Sequence, residues 1–82
     1  MTNEEAKKAF TDQVKVVHKH HSSRSLIVYD RIKRFGYDIT DGKLTVLVVL
    51  VATSGNSLTY ALPQDIAVYD ESKPLTHESY FK

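Results

Sequence analysis

Residues 35–52 read Phe35-Gly36-Tyr37-Asp38-Ile39-Thr40-Asp41-Gly42-Lys43-Leu44-Thr45-Val46-Leu47-Val48-Val49-Leu50-Val51-Ala52, and the dipeptide near their middle organises the rest. Asp41-Gly42 is the pair that a two-residue type I′ hairpin turn requires, because both central residues take positive φ. With Thr40 opposite Lys43, Ile39 falls opposite Leu44, Tyr37 opposite Val46 and Phe35 opposite Val48. Three apolar pairs then share one face, which places Phe35 and Tyr37 inside. The second strand is apolar on both faces, since Leu44, Val46, Val48 and Leu50 alternate with Leu47, Val49 and Val51. One face can fill a core. The other needs a helix, a closed barrel wall or another subunit over it, because an exposed stripe of that kind aggregates. Leu47, Val49 and Val51 are therefore expected interface residues.

Downstream, Ser54-Gly55-Asn56 closes a second hairpin. A three-residue loop pairs Thr53 with Ser57 and sets Ala52, Leu50 and Val48 opposite Leu58, Tyr60 and Leu62. Pro63 ends that strand because it has no N–H for a ladder, Pro63-Gln64-Asp65 makes a corner, and Ile66 to Tyr69 form a last short strand. Residues 1–70 thus make a single domain. From Glu71 to Lys82 the chain is polar apart from Leu75, Tyr80 and Phe81, and reads as a flexible tail whose two terminal aromatics could anchor in a neighbouring groove. The uncharged run Leu44–Gln64 has the nominal length of a bilayer span, ~20 residues. Its middle, Thr53 to Ser57, is turn chemistry that a spanning helix would expose to lipid, so no membrane contact is expected.

Upstream, Thr2-Asn3-Glu4-Glu5 has the form of a capping box. Ala6, Phe10, Val14 and Val17 recur at spacings of three and four opposite Lys7, Lys8, Asp12, Lys15 and Lys19, which predicts a helix from Thr2 onward. Beyond Val14 the β-branched run Val14, Val16, Val17 also suits a strand; the helix reading is preferred over residues 13–20. Ser22 to Ser25 is a break, Leu26 to Tyr29 has strand composition, and for Arg31 to Gly36 strand outweighs helix because the apolar positions form no stripe.

Charge is unevenly distributed. Lys15, Lys19, Arg24, Arg31, Lys33 and Arg34 stand against Asp30 alone over residues 13–37, a local balance of +5, whereas residues 44–82 carry −2 and the whole chain +1. With Tyr29, Phe35 and Tyr37 interleaved, those six cations are candidate nucleic-acid contacts. His18, His20 and His21 form one cluster with metal-ligand character, but two or three neighbours make no complete site, and an exposed titrating turn is the plainer reading. No glycine-rich phosphate loop or nucleophile–base pair is present, so no cofactor, metal or catalysis is expected. The chain has no cysteine and its first ten residues carry Glu4, Glu5, Lys7 and Lys8 where a signal peptide would need an apolar core. A cytoplasmic location is the corresponding expectation.

The fold class is therefore α+β, an N-terminal helix packed on a small, strongly bent antiparallel sheet or an SH3/Sm-like barrel of four to five strands. Ser25-Leu26-Ile27-Val28-Tyr29-Asp30-Arg31-Ile32-Lys33-Arg34-Phe35-Gly36 resembles the first strand, bend and glycine of the bacterial Sm-like RNA chaperones, and Leu58-Thr59-Tyr60 resembles the approach to their final strand. Where that family carries a Lys-His pair for RNA, this chain has Ala61-Leu62-Pro63, so the family's RNA site does not carry over. The resulting expectation is a small non-catalytic interaction or regulatory protein acting through protein–protein contacts, as a homo-oligomer. The alternative is a nucleic-acid-binding small β-barrel using segment 13–37.

Overall fold

In the computed structural model, which describes residues 1–19, 26–55 and 57–81, the capping box forms. The Glu5 N–H donates to Thr2 Oγ1 at 3.1 Å and the Thr2 N–H to Glu5 Oε1 at 2.8 Å. Helix α1 (Asn3–Asp12) follows, burying Ala6 and Ala9. Hydrogen bonding from Thr2, backbone first and side chain second, holds the Glu5 carboxyl below its ordinary value of 4.5. A depressed carboxylate stabilises the fold above its unfolded pKa and loses that contribution as pH falls through the folded one. Thr2→Ala should accordingly cost about 1 kcal/mol at neutral pH. Glu5→Gln, which removes the carboxylate that accepts from the Thr2 N–H, should fall behind the parent in thermal melts at neutral pH by a gap that narrows below pH 4.5, and a pH-independent gap would refute the reciprocal cap.

The helix stops earlier than its periodicity suggests. Gln13 takes the left-handed conformation at φ 52°. Its N–H reaches the Phe10 carbonyl and the Val14 N–H reaches that of Ala9, at 3.2 and 3.3 Å, the pair of bonds that closes a Schellman-type end. The expected helix over 13–20 is thus replaced by strand β1 (Val16–Lys19). The reason is pairing: β1 lies between β2 (Leu26–Thr40) and β5 (Ile66–Val68), with Val16 opposite Tyr29 on one side and Val68 on the other. Two ladders satisfy the backbone of a β-branched segment that has weak helix propensity.

The two expected pieces 26–29 and 31–36 form one fifteen-residue strand, β2. It pairs with β1 over its first four residues and with β3 (Lys43–Ala52) from Tyr29 onward. Register shifts between Tyr29 and Arg31 and between Ile32 and Arg34 mark bulges that bend it. β4 (Leu58–Ala61), a 3₁₀ turn at Pro63–Asp65, β5 and a short helix α2 (His77–Tyr80) complete the order. The five-stranded antiparallel sheet runs β4-β3-β2-β1-β5. The α+β expectation holds, and the barrel alternative does not. The short strands β4 and β5 are the two edges of the sheet and do not pair with each other.

The core lies between α1 and one sheet face. Ala9, Val16, Tyr29, Ile32, Val48, Leu50, Ala61 and Ile66 make one cluster, with Phe10, Val14 and Phe35 partly buried against it. Phe10 meets Phe35 edge-on at 5.6 Å between ring centres. The first hairpin adopts the expected register throughout. In the second hairpin it is shifted: Ala52, not Thr53, opposes Ser57, its N–H donating to the Ser57 carbonyl at 2.9 Å. Val48 consequently pairs with Ala61, Leu50 with Thr59, Val49 with Tyr60 and Val51 with Leu58. That choice puts the small Ala61 into the core and turns Leu58 and Tyr60 outward.

Candidate functional site

The two-residue turn forms with Asp41 at φ 53° and Gly42 at φ 76°, as a type I′ geometry demands. Beyond the pair Phe35–Val48, the β2–β3 ribbon continues through five further pairs to Thr40–Lys43, and among the described residues no third strand joins it there. This two-stranded arm contributes to a long axis of 40 Å against 24 Å in the other two directions. Here the structure corrects the sequence reading. Phe35 is half-buried, but Tyr37 is 68%, Ile39 73% and Leu44 64% exposed on the same face of the arm. The pairing is as expected; the ten-residue helix does not cover that far. An isolated two-stranded ribbon is marginal in water, and a clustered apolar face is the usual mark of a contact surface.

An open groove of about 410 Å³ flanks the β3 side of the arm, lined by Met1, Leu44, Val46, Leu62 and Pro63 among others. It opens where β4 ends its pairing with β3 at Ala61 and the chain turns through Pro63. The opposite face of β3 is less open than its sequence suggests. Val49 and Val51 are buried within the single chain, and Leu47 is half-buried. In the ladder Val49 lies between Arg34 and Tyr60, and Val51 between Arg31 and Leu58. Long side chains on both flanks shield a valine between them. The most exposed large apolar side chains are therefore Tyr37, Ile39 and Leu44 on the arm, followed by Tyr60 on β4, and not the stripe formed by Leu47, Val49 and Val51.

Among the described residues the candidate nucleic-acid contacts are distributed over β2 (Arg31, Lys33 and Arg34), β1 (Lys19) and the segment before β1 (Lys15). Arg31 is tied to Asp30 at 2.7 Å, and Lys19 lies over the Phe81 ring at 5.5 Å. Lys33 and Arg34 are exposed at the root of the arm, while Lys15 precedes β1. Arg24 lies outside the described residues, as do His20, His21 and the break at 22–25. His18 is not part of an exposed turn. It is 8% exposed on β1, opposite Ile27 and Ile66, with its ring 6.1 Å from that of Tyr29. Among the described residues no three metal-ligating side chains converge, and no helix is long and apolar enough to cross a membrane.

Tyr80 and Phe81, expected to anchor in a neighbour, are engaged within the chain. The Tyr80 hydroxyl donates to the Asp70 carbonyl at 2.7 Å and accepts from the Asp70 N–H at 3.0 Å, with Lys73 over its ring at 5.3 Å. Ser72, by its hydroxyl and then its N–H, holds the Asp70 carboxyl below the usual 3.8. A cleft of about 330 Å³ lies between these aromatics, β5, Met1 and Glu5.

No family model matches this chain, and no significant match is found among curated proteins or solved structures. Function is accordingly read from the arm and its surroundings.

Proposed function

We propose that this protein is a non-catalytic interaction domain that acts by self-association through the β2–β3 arm. One observation carries the reading: Tyr37, Ile39 and Leu44 stand exposed together on a two-stranded ribbon that extends past the core. A chain of this size buries a modest share of its surface, so covering these side chains in an oligomer stabilises it as well as organising it. Sedimentation of the parent and of the Tyr37→Ser/Ile39→Ser/Leu44→Ser variant tests this. The parent should sediment above 9.3 kDa with a concentration-dependent mass, and the variant at 9.3 kDa while keeping its β-sheet circular dichroism. A parent mass of 9.3 kDa up to several hundred micromolar would overturn the reading.

A further inference from the structure

The hairpin turn decides which backbone groups of the arm are free. In a two-residue hairpin the flanking residues Thr40 and Lys43 exchange both hydrogen bonds, and paired positions then alternate. Asp38–Thr45 and Gly36–Leu47 are bonded pairs, whereas Ile39, Tyr37 and Phe35 on β2 and Leu44, Val46 and Val48 on β3 aim their N–H and C=O outward. The rest of β3 agrees with this phase, because Val48 faces Ala61 of β4 and the Ala52 N–H, four residues on, donates to Ser57.

The two edges are not equivalent. On β3 only Leu44 and Val46 remain outside β4, and a strand added there would run into Leu62 and Pro63 at the end of the groove. On β2 the pairing with β1 ends at Tyr29, so Phe35, Tyr37 and Ile39 form the longer open edge. Resting on the self-association proposed above, we infer that the partner is a second copy of this chain, joined antiparallel along the outer edge of β2 about a twofold axis at Tyr37. The pairs are Tyr37 with the partner's Tyr37, and Phe35 with the partner's Ile39 in both directions, each pair exchanging two bonds.

Three features of the chain favour this register over its neighbours. A shift that centres on Asp38 sets two carboxylates opposite each other, which is unfavourable. A shift that centres on Gly36 also sets Arg34 against the partner's Asp38, but it leaves Ile39 opposite the bulge at Lys33. Centred on Tyr37, the basic root of each arm, Lys33 and Arg34, runs beside the acidic tip of the other, Asp38 and Asp41, and Arg34 lies diagonal to the partner's Asp38. Gly36 falls directly opposite the partner's Asp38. Within one chain nothing requires glycine there: a Cβ at Gly36 would meet no atom within 4 Å and its φ is not positive. A strand glycine with open space beside it leaves room for the close approach of another backbone. The register also brings the partner's Ile39 beside Phe35 and its neighbour Phe10, giving the exposed tip an apolar seat.

The chain has no cysteine, so one introduced thiol reports one contact. Cα atoms of a bonded antiparallel pair lie about 5.5 Å apart, inside the ~4.4–6.8 Å that a disulfide spans. Under mild oxidation Tyr37→Cys should give a covalent dimer, and Thr45→Cys, at the centre of the competing β3 edge, should not. Asp38→Arg and Arg34→Asp should each weaken dimerisation about tenfold, and the double variant should recover it. Crosslinking by Thr45→Cys alone, or by neither thiol in a protein that still sediments as a dimer, would overturn this register while leaving self-association intact. A parent that sediments at 9.3 kDa would remove both.

Discussion

Leu50→Ala should lower the stability of this domain by about 2–5 kcal/mol, the range for truncating a fully buried leucine. Leu50 has no exposed surface and is among the largest completely buried side chains, alongside Ile32 and Ile66. It sits on the central strand, between Ile32 of β2 and Thr59 of β4, in the cluster that packs under α1. A void there is lined on two sides by hydrogen-bonded strands, which relax little, so the cavity term stays high. For a small domain each kcal/mol moves the midpoint by about 4–8 °C, so the melt should fall by roughly 10 °C or more. Protein concentration must be fixed and low, because association makes the midpoint depend on it. Under those conditions Leu44→Ala, six residues away on the same strand face but largely exposed, should change stability by less than about 0.5 kcal/mol. Equal effects at the two positions would mean that the core extends along the arm.

The contrast between Leu44 and Leu50 also shows what the sequence could disclose. Alternation and the Asp41-Gly42 turn fix which residues share a face, and all the pairs from Phe35–Val48 to Thr40–Lys43 follow from them. They do not fix what covers that face. Tyr37 and Phe35 are equivalent in the pattern, and only the reach of α1, ending at Asp12 with Phe10 on Phe35, makes one half-buried and the other exposed. The same limit accounts for Val49 and Val51. Their burial depends on which neighbours flank them across the sheet, and an expected register one residue out put Tyr60 on the wrong face.

Residues 13–20 were ambiguous for a local reason and were decided by a distant one. Val14, Val16 and Val17 fit a helix stripe and a strand about equally, and nothing nearby in sequence discriminates. The partners that settle it, Leu26–Tyr29 and Ile66–Val68, include a strand some fifty residues downstream. Once β1 lies between two strands, His18 is carried into the sheet beside Tyr29 and away from a solvent-exposed cluster. The basic segment divides for a related reason. Lys19 travels with β1 towards Phe81, whereas Lys33 and Arg34 travel with the bulged half of β2 to the root of the arm. A charge cluster in sequence becomes a surface cluster only if its residues stay on one element face.

Gly42→Val should cost about 1–3 kcal/mol, because a β-branched residue is forced to φ 76° in a turn whose other central residue, Asp41, is already at φ 53°. Space is not the obstacle, since a Cβ at Gly42 would meet nothing within 4 Å. The cost is backbone strain, and Gly42→Asn, which tolerates the left-handed region, should recover most of it. The strain should appear locally before it appears globally. Val48 and Leu50 are held in register by β4 and by the helix, whereas the five pairs of the arm depend on the turn alone. In hydrogen exchange the inward amides of Asp38 and Thr45 should lose protection in Gly42→Val while that of Leu50 keeps it. Self-association should weaken in the same variant, because Phe35, Tyr37 and Ile39 present an aligned edge only while the ribbon is closed. A Gly42→Val protein with parental exchange at Asp38 and Thr45 and parental mass would show that the arm does not rely on its turn, and would remove the geometric basis for an open edge on β2.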